Sequence, residues 1–312
     1  MVMERNDSLD ILKGIGITLM IVAHTYGPNN PLWNCIYAFH IPLFFLVTGY
    51  FFKQSSISIL LKKGKDKLLI QYITLCSIIT LLTQLREPHN VTIDIKGIIN
   101  GMGPGWFLLA MFMGRFAFHL ILQTFTKSYL LISLAISMSI CGIASCNKLP
   151  SFLSIFPGLV SLFFIAVGYF IRTHSLHNTE KKHPIIYLLI GLLFWLITSI
   201  WGEVEMSQCI FKLSFIDFCG SLGGTYIVYK LCKFIEKKCD KIKCILSHAG
   251  KYSLVILFFH SIDYCIPIWY LIEPYFPSSV LLTVILILRL LFVYLCLKIT
   301  LRTNLLRSFF HI

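Results

Sequence analysis

Three ionisable side chains interrupt two apolar stretches near the N-terminus: Lys13 and His24 lie in the first stretch, and His40 lies in the second. Each stretch is long enough to cross a bilayer, and an ionisable residue inside a membrane span is by default a candidate functional residue. Lys13 and His24 are about three helical turns apart, so they share one helix face and are separated by about 16 Å along its axis. A cation near the inner end and a titratable imidazole near the outer end suit a protein that handles a substrate across a membrane.

Each of these residues also has a structural interpretation. A lysine at a helix end often extends its ammonium group to the interface, and Asp10 is close enough in sequence to form an ion pair with Lys13. A single histidine in a span is commonly held by a structural hydrogen bond. Two histidines at matched depth in adjacent antiparallel spans weaken that explanation, so we expect His24 and His40 to face each other in the outer third of the membrane.

The elements that position these residues are predicted to be membrane helices. The 312 residues are 57% hydrophobic and 13% charged, whereas a soluble domain carries about 25% charged residues. The net charge of +13 comes mostly from Lys and Arg in short loops on one predicted side, which follows the positive-inside rule and does not indicate nucleic acid. We predict an all-α, polytopic membrane protein with a single domain over residues 1–312, about ten transmembrane helices and both termini in the cytoplasm.

Hydropathy places the predicted spans along the whole chain, and the basic segment 53–67 is predicted to contain a short amphipathic helix at the interface. Most Lys and Arg residues fall between spans on the inner side, which sets the orientation. The predicted spans are about 9–26, 33–52, 68–85, 106–122, 129–145, 152–171, 185–201, 215–229, 252–271 and 280–297.

Further ionisable residues fall within the later predicted spans. Arg115 and Arg289 lie in the fourth and tenth spans, and Asp217 lies near the outer end of the eighth. His260 and Asp263 lie near the middle of the ninth. An arginine inside the membrane needs a carboxylate, a carbonyl group or a bound anion. We therefore expect the two arginines either to contact the substrate or to pair with one of the two aspartates.

The cysteines and the acidic outer loop carry no predicted chemistry. The eleven cysteines are scattered, without a CxxC pair or a zinc-type spacing, so we expect no metal site. Buried thiols that act as small hydrophobic groups are the simplest interpretation, and a disulfide between Cys146 and Cys209 in the outer loops is the alternative. Glu203 and Glu205 form an acidic pair in an outer loop, which we interpret as solvated surface.

Four motifs resemble the membrane-bound acyltransferase-3 family, in particular its stand-alone, fucose 4-O-acetylase-like members of the polysaccharide O-acetyltransferase type. The family motif of a basic residue, ten intervening residues and a histidine falls on Lys13 and His24. FFLVTGY at 44–50 matches the family motif Phe-Phe-x-x-Ser-Gly-Phe, with Thr and Tyr as conservative departures. GPGWFLLAMF around Trp106 and GKYSLVILFFH at 250–260 are weaker similarities. Together the motifs extend over nearly the whole chain.

The resemblance implies transfer of an acetyl or similar acyl group, such as succinyl, from cytosolic acyl-CoA to a hydroxyl group of a glycan or a lipid-linked saccharide at a bacterial plasma membrane. Acyl-CoA would be a co-substrate, with no permanently bound cofactor. His24 and His40 would be catalytic, either in direct transfer, which we favour, or through an acyl-histidine. The predicted acyl-CoA contacts are Arg5, Lys13, Arg115 and Arg289, and the predicted acceptor or structural support residues are Asp10, Trp106, Asp217, Ser253, His260 and Asp263.

A second class of protein is compatible with the same residues. A transporter or flippase for a glycan or lipid-linked sugar would also use buried charges and many spans. Transporters of this kind are commonly built from internal repeats, and no repeat stands out here. A structural subunit without chemistry would leave His24 and His40 unexplained. The expected partners are acyl-CoA, the saccharide acceptor and the lipid bilayer, and the sequence leaves a homo-oligomer open.

Overall fold

The computed structural model describes residues 7–86, 95–124, 128–146, 148–149, 152–174, 184–266 and 268–312. The chain is almost entirely helical, which confirms the predicted all-α class. The helices, numbered α1 to α15, are Asp7–Tyr26, Pro31–Tyr37, His40–Tyr50, Ile57–Gly64, Ile70–Arg86, Ile95–Asn100, Trp106–Thr124, Ser128–Cys146, Ile155–Thr173, Pro184–Trp201, Phe215–Lys238, Asp240–Lys251, Ser253–Cys265, Ser278–Arg302 and Asn304–Phe309. Two short antiparallel strands, β1 (Val204–Glu205) and β2 (Ile210–Phe211), form an outer hairpin.

Within these described ranges, seven helical stretches are long and apolar enough to cross a membrane, or eight if the bent pair α12 and α13 is one span. This number is smaller than the predicted ten, although every predicted span coincides with a helix. Three of these helices do not reach the length or the hydropathy of a complete membrane span. The apolar part of α8 is short, α11 contains several glycines and Asp217, and α13 has 13 residues. The end of the ninth predicted span, 252–271, overlaps the start of a 3₁₀ helix, Trp269–Tyr275, which contains Pro274.

The second predicted span is broken into α2 and α3 at Ala38 and Phe39. Pro42 has no backbone N–H and its ring clashes with the preceding turn, so a continuous helix through this position is disfavoured. The carbonyl of Ile36 receives the N–H of Phe39 at 3.1 Å and the Nδ1 of His40 at 3.0 Å. The break therefore fixes the ring of His40 at the start of α3.

Two basic segments that the sequence presents as inner loops are helical. The predicted short helix in 53–67 is present as α4. The segment after the eighth predicted span continues α11 to Lys238 and then forms α12, which packs across the inner half of α1. Added methyl groups at Gly14 and Gly250 would lie 2.0 Å and 1.7 Å from carbonyl oxygens of the opposite helix, so only glycine permits this backbone approach.

Contacts between distant segments join regions that the sequence assigns to the same side of the membrane. On the inner side, Arg172 at the end of α9 donates to the carbonyl of Phe52 at 2.9 Å. On the outer side, the indole of Trp195 donates to the carbonyl of Cys35 at 3.0 Å. Each of these two contacts joins segments that the predicted orientation places on the same side.

The thiols of Cys146 and Cys209 are neighbours on the outer side, and both are free. Burial is the main cause that raises the pKa of Cys209, and its hydrogen bond with the thiol of Cys146 raises the pKa further. The two cysteines are therefore a reduced, packed pair in this structure, whereas the sequence leaves a disulfide between them open.

Candidate active site

A cavity of about 540 Å³ lies between α1, the α2–α3 break, the segment before α7, the outer hairpin and α13. Its inner part is apolar and its outer part is polar, because α1 and α3 present aliphatic and aromatic residues below the level of their histidines. The apolar lining residues include Ile17, Met20, Ile41, Phe44, Phe107 and Leu257. The polar lining residues include His24, Tyr37, His40, Glu205, Gln208 and Tyr264.

His24 lies on the wall of this cavity with both ring nitrogens engaged. Its Nδ1 is 2.9 Å from the Nε2 of His260, and its Nε2 is 2.8 Å from the hydroxyl of Tyr37. The rings of His24 and His260 stack at 5.1 Å, and the ring of Tyr264 is 4.7 Å from that of His24. Side chains from two other helices, α2 and α13, therefore hold this imidazole in one orientation.

His260 connects His24 to a buried ion pair. The Nδ1 of His260 is 3.8 Å from Oδ2 of Asp263, and the same oxygen is 3.1 Å from Nε of Arg289. The indole of Trp269 donates to the other carboxylate oxygen of Asp263. Arg289 also donates to the backbone carbonyl of His24 at 3.1 Å. The contacts form a closed ring that begins and ends at His24, and they place Arg289 in the pairing with Asp263 that the sequence offers as one of two alternatives.

His40 lines the same cavity but does not directly oppose His24. The ring of Tyr37 lies between them, at 4.7 Å from the ring of His40 and 6.1 Å from that of His24. The expected pairing of His24 with His40 is therefore replaced by a pairing with His260. The backbone bond to Ile36 occupies Nδ1 of His40, and its buried Nε2 has no hydrogen-bond partner among the residues that the structure describes.

Lys13 forms the predicted ion pair with Asp10, at 2.8 Å between Nζ and Oδ1. Both side chains are partly exposed, and neither residue lines the cavity. The lysine thus lies below the apolar part of the cavity, on the inner half of α1. Arg5, the other cation predicted for this end, lies outside the described residues.

The remaining predicted site residues separate into two groups. Trp106 and Ser253 line the cavity. Arg115 does not: it lies against α4 in a small separate pocket. Asp217 accepts the backbone N–H of Leu213 at 2.7 Å, which fixes the turn before α11. The structure therefore brings the first two to the site and leaves Arg115 and Asp217 apart from it.

Trp106 reaches the cavity because the segment before α7 turns sharply. Gly101 and Gly103 have φ values of +120° and +50°, a region that favours glycine. A methyl group added to Gly101 would also lie 2.3 Å from Cβ of Trp106. The 3₁₀ turn Gly103–Gly105 then leads directly into α7, whose first residue is Trp106.

The interpretation of the outer acidic pair as solvated surface is wrong for Glu205. The hairpin places this side chain on the cavity wall, partly buried, with Ser207 donating to Oε1 from its hydroxyl at 2.6 Å and its N–H at 3.2 Å. Burial raises the pKa of Glu205 above its ordinary value of 4.5; the bonds from Ser207 oppose this shift, and the charge of Glu203 adds to it. Glu203 itself is exposed, as expected.

Sequence reasoning also missed the aromatic part of the site. Trp33 and Tyr37 stack with ring centroids 3.7 Å apart, and Tyr264 packs on His24. Aromatic residues near span ends are so common at membrane interfaces that their presence alone indicates no site. The one available signal was their position in the sequence: Trp33 and Tyr37 lie between the two predicted catalytic histidines, and Tyr264 follows His260 by four residues.

Comparison with known proteins gives one match. A family model described as an acyltransferase domain matches residues 6–299, which includes every element that lines the cavity. Neither the curated proteins nor the solved structures that were compared show a significant match.

Proposed function

Because this chain belongs to the acyltransferase-3 family, as the match over residues 6–299 shows, we propose that it transfers an acetyl or similar small acyl group from cytosolic acyl-CoA to a glycan hydroxyl. The protein is a membrane acyltransferase. The proposal adds that the acceptor is a cell-surface or lipid-linked saccharide, that the membrane is a bacterial plasma membrane, and that the protein is of the stand-alone, fucose 4-O-acetylase-like type.

The observation that carries the proposal is the hydrogen-bonded imidazole of His24 on the cavity wall. A general base needs a nitrogen within hydrogen-bond reach of the hydroxyl that it deprotonates, and Nε2 of His24 already binds the phenolic hydroxyl of Tyr37 at 2.8 Å. An acceptor hydroxyl that enters the cavity would take a similar position. Tyr37 would then move aside or remain as a proton relay between the sugar and His24.

His260 and Asp263 serve as positioning residues for this base. The carboxylate of Asp263 is 3.8 Å from Nδ1 of His260, which is too long for a hydrogen bond, but its negative charge beside this nitrogen favours a proton on Nδ1. The Nε2 of His260 then accepts a hydrogen bond from Nδ1–H of His24, which leaves Nε2 of His24 as the basic nitrogen. A base that is oriented by a second group, itself held by a third, is the arrangement used by other acyl-transfer sites.

The reaction can then proceed by direct transfer. Nε2 of His24 removes the hydroxyl proton as the acceptor oxygen bonds to the thioester carbonyl carbon, the carbon–sulfur bond breaks, and the proton passes to the departing sulfur to give free CoA thiol. An acyl-histidine route would require one nitrogen of His24 to give up its bond to His260 or Tyr37. The direct route also displaces Tyr37 from Nε2 unless Tyr37 relays the proton. It leaves the bond between His24 and His260 in place and forms no covalent bond to the imidazole, and it is the route that we propose.

His40 is proposed to orient the acceptor. Its Nδ1 is fixed by the carbonyl of Ile36, so its Nε2 is the lone-pair nitrogen. A buried nitrogen without a partner is costly, and a sugar hydroxyl could supply the missing donor. His40 would then hold one hydroxyl while His24 activates another.

The apolar inner part of the cavity suits the acyl group and the pantetheine arm of the donor. No Lys or Arg is among the described residues that line the cavity, so the nucleotide phosphates are proposed to stay outside it. Lys13, below the cavity, is the proposed contact for a donor phosphate. Because Lys13 is paired with Asp10, a bound phosphate would share or replace this carboxylate.

The test uses purified protein in nanodiscs, labelled acetyl-CoA, and surface glycans whose O-acyl esters have been removed with mild alkali. His24→Ala should lower the rate of label transfer about 100- to 10,000-fold, whereas His311→Ala, at an exposed histidine far along the chain, should leave the rate unchanged. Equal size-exclusion profiles would show that both variants are folded.

Calorimetry with CoA separates the enzyme from the transporter alternative. An acyltransferase should bind CoA, and His24→Ala should keep this binding. Transfer at a near-normal rate by folded His24→Ala would remove His24 from the mechanism. A folded wild-type protein that neither binds CoA nor transfers the label would contradict the proposed donor and favour a glycan transporter.

A further inference from the structure

The outer hairpin forms one wall of the cavity and carries three adjacent polar side chains, Glu205, Ser207 and Gln208. The pairing of β1 with β2 fixes this wall: Val204 lies opposite Phe211, and both are buried. The aromatic pair Trp33 and Tyr37 lines the same cavity from α2. Polar groups and aromatic rings therefore converge on one space at its outer end.

The carboxylate of Glu205 is oriented before any ligand arrives. Both hydrogen bonds from Ser207 go to Oε1, and Oε2 receives no hydrogen bond from the described residues. An ionised carboxylate only accepts hydrogen bonds, whereas a sugar presents several hydroxyl donors. A fixed carboxylate with an available oxygen is thus a suitable receptor for sugar hydroxyls, and the amide of Gln208 can both donate and accept.

The charge of the cavity wall restricts the acceptor. Glu205 is the only charged side chain among the described lining residues apart from the histidines. Arg289, which binds the carbonyl of His24 behind the cavity wall, is already paired with Asp263. A sugar that bears a carboxylate or phosphate would therefore meet a negative charge without a cation to offset it.

The stacked rings of Trp33 and Tyr37 complete the site. Their centroids are 3.7 Å apart with an angle of 18° between the planes, so each ring holds the other in place and the outward-facing side of the stack presents an apolar ring face near the hydroxyl of Tyr37 that binds His24. The C–H face of a pyranose ring can pack on such a surface while its hydroxyls turn toward polar groups.

We infer that the hairpin is the specificity wall of the acceptor site, and that Glu205 binds hydroxyl groups of an uncharged sugar and excludes anionic sugars. This inference rests on the proposed acyl transfer and adds the chemical class of the acceptor. Glu205 acts on the acceptor alone, so its replacement should leave donor binding unchanged.

The experiment compares neutral and anionic acceptors of the same shape. Purified protein in nanodiscs receives labelled acetyl-CoA and either p-nitrophenyl β-glucoside, galactoside, fucoside or N-acetylglucosaminide, or the p-nitrophenyl β-glucuronide that differs from the glucoside by its carboxylate. We expect transfer to neutral glycosides in preference to the glucuronide. Glu205→Gln should raise the acceptor KM about ten- to a hundredfold and reduce the preference for the neutral sugar.

Glu203→Gln is the matched control, because it removes the same charge from an exposed position two residues away that does not line the cavity. It should leave the KM and the preference unchanged. The Kd for CoA, measured by calorimetry, should be equal in the wild type and both variants.

The possible outcomes distinguish an error in the proposed acceptor class from an error in the proposed acyl transfer. If the wild type binds CoA but acetylates only the glucuronide, or none of the neutral glycosides, the inference about the acceptor is wrong and the proposed donor stands. An unchanged KM in a folded Glu205→Gln protein, or equal effects of Glu203→Gln and Glu205→Gln, also overturns it. A wild type without CoA binding counts against the proposed acyl transfer itself.

Discussion

The inner and outer halves of α1 differ in sequence and in surroundings: the inner half carries the aspartates and the lysine of this helix, and the outer half is mostly apolar before His24. In the inner half, Gly14 packs backbone to backbone against Leu246 of α12, which leaves no space for even a methyl group. In the outer half, Ile17, Met20 and His24 line a cavity of about 540 Å³. One half therefore fixes the helix against a neighbour, and the other half provides a wall for chemistry.

This contrast explains how one helix face can separate two tasks. Lys13 and His24 lie on the same face, yet Lys13 lies outside the cavity beside Asp10, whereas His24 is held inside it by His260 and Tyr37. The close packing of α12 occupies the inner half of α1, whereas the described lining of the cavity around His24 contains no Lys or Arg. Under the proposed function, this arrangement keeps the anionic part of the donor below the site of transfer.

The largest expected effect comes from a change to the buried ion pair that holds the outer half of α1. Asp263→Asn leaves Arg289 buried without its carboxylate, and loss of one partner from a buried ion pair costs about 3–5 kcal/mol. We expect a large fall in the thermal unfolding midpoint in detergent and loss of acyl transfer, because His260 and the backbone of His24 lose their anchor.

The double variant Asp263→Asn/Arg289→Gln removes both charges and is the control for this prediction. It should recover part of the lost stability, because no unpaired charge remains. The single variant Arg289→Gln completes the comparison. If the loss of stability in the double variant equals the sum of the losses in Asp263→Asn and Arg289→Gln, the two residues are not coupled and the ring of contacts around His24 is incorrect.

A smaller effect is expected at the inner half. Lys13→Ala should weaken CoA binding about ten- to a hundredfold, because one charge-assisted contact contributes about 1.5–3 kcal/mol. Lys13→Arg should largely preserve binding. Asp10→Asn should strengthen it, since the carboxylate that now occupies Lys13 is removed.

Calorimetric titration with CoA measures all three variants of this pair. A purely structural ion pair would give the opposite pattern: Lys13→Ala and Asp10→Asn would both lower the unfolding midpoint, and neither would change the Kd. That result would remove Lys13 from donor binding and leave the outer cavity as the only functional half of α1.

The smallest expected effect tests the close packing that separates the halves. Gly250→Ala places a methyl group against the carbonyl of Asp10, and overpacking of this kind costs about 1–3 kcal/mol. Gly191→Ala, where the added methyl group would lie 3.4 Å from its nearest neighbour, is the matched control. Thermal unfolding in detergent should show a lower midpoint for Gly250→Ala only; equal midpoints would show that α12 is free to shift away from α1.

Local sequence patterns predicted the parts of the molecule that depend on neighbouring residues. The helices follow from long apolar stretches, and the Lys13–Asp10 pair follows from a spacing of three residues on one helix. The break before His40 was missed, although Pro42 gave a local reason for it. Within the described residues, seven or eight helical stretches are long and apolar enough to be complete spans, fewer than the predicted ten. The number is smaller because Asp217 and Lys230 lower the hydropathy of α11 and a 72° bend, which a hydropathy window does not register, separates α12 from α13.

The site itself depends on contacts between distant residues, which a single sequence does not contain. His24 and His260 are separated by 236 residues, and no periodic pattern connects them. Glu205 lies on a strand of two residues, too short to give any strand signal. Its role becomes visible only when the hairpin is seen folded over the cavity that α1, α2 and α13 create.

The most direct test of acyl transfer at His24 is mass spectrometry of the surface glycans of cells that lack this protein and carry either the wild type or His24→Ala at equal membrane abundance. The proposal predicts that wild-type cells add acyl esters to a surface glycan and that His24→Ala cells have the same ester-free glycan as cells without the protein. Identical glycans in all three strains, or the full set of esters with His24→Ala, would contradict it.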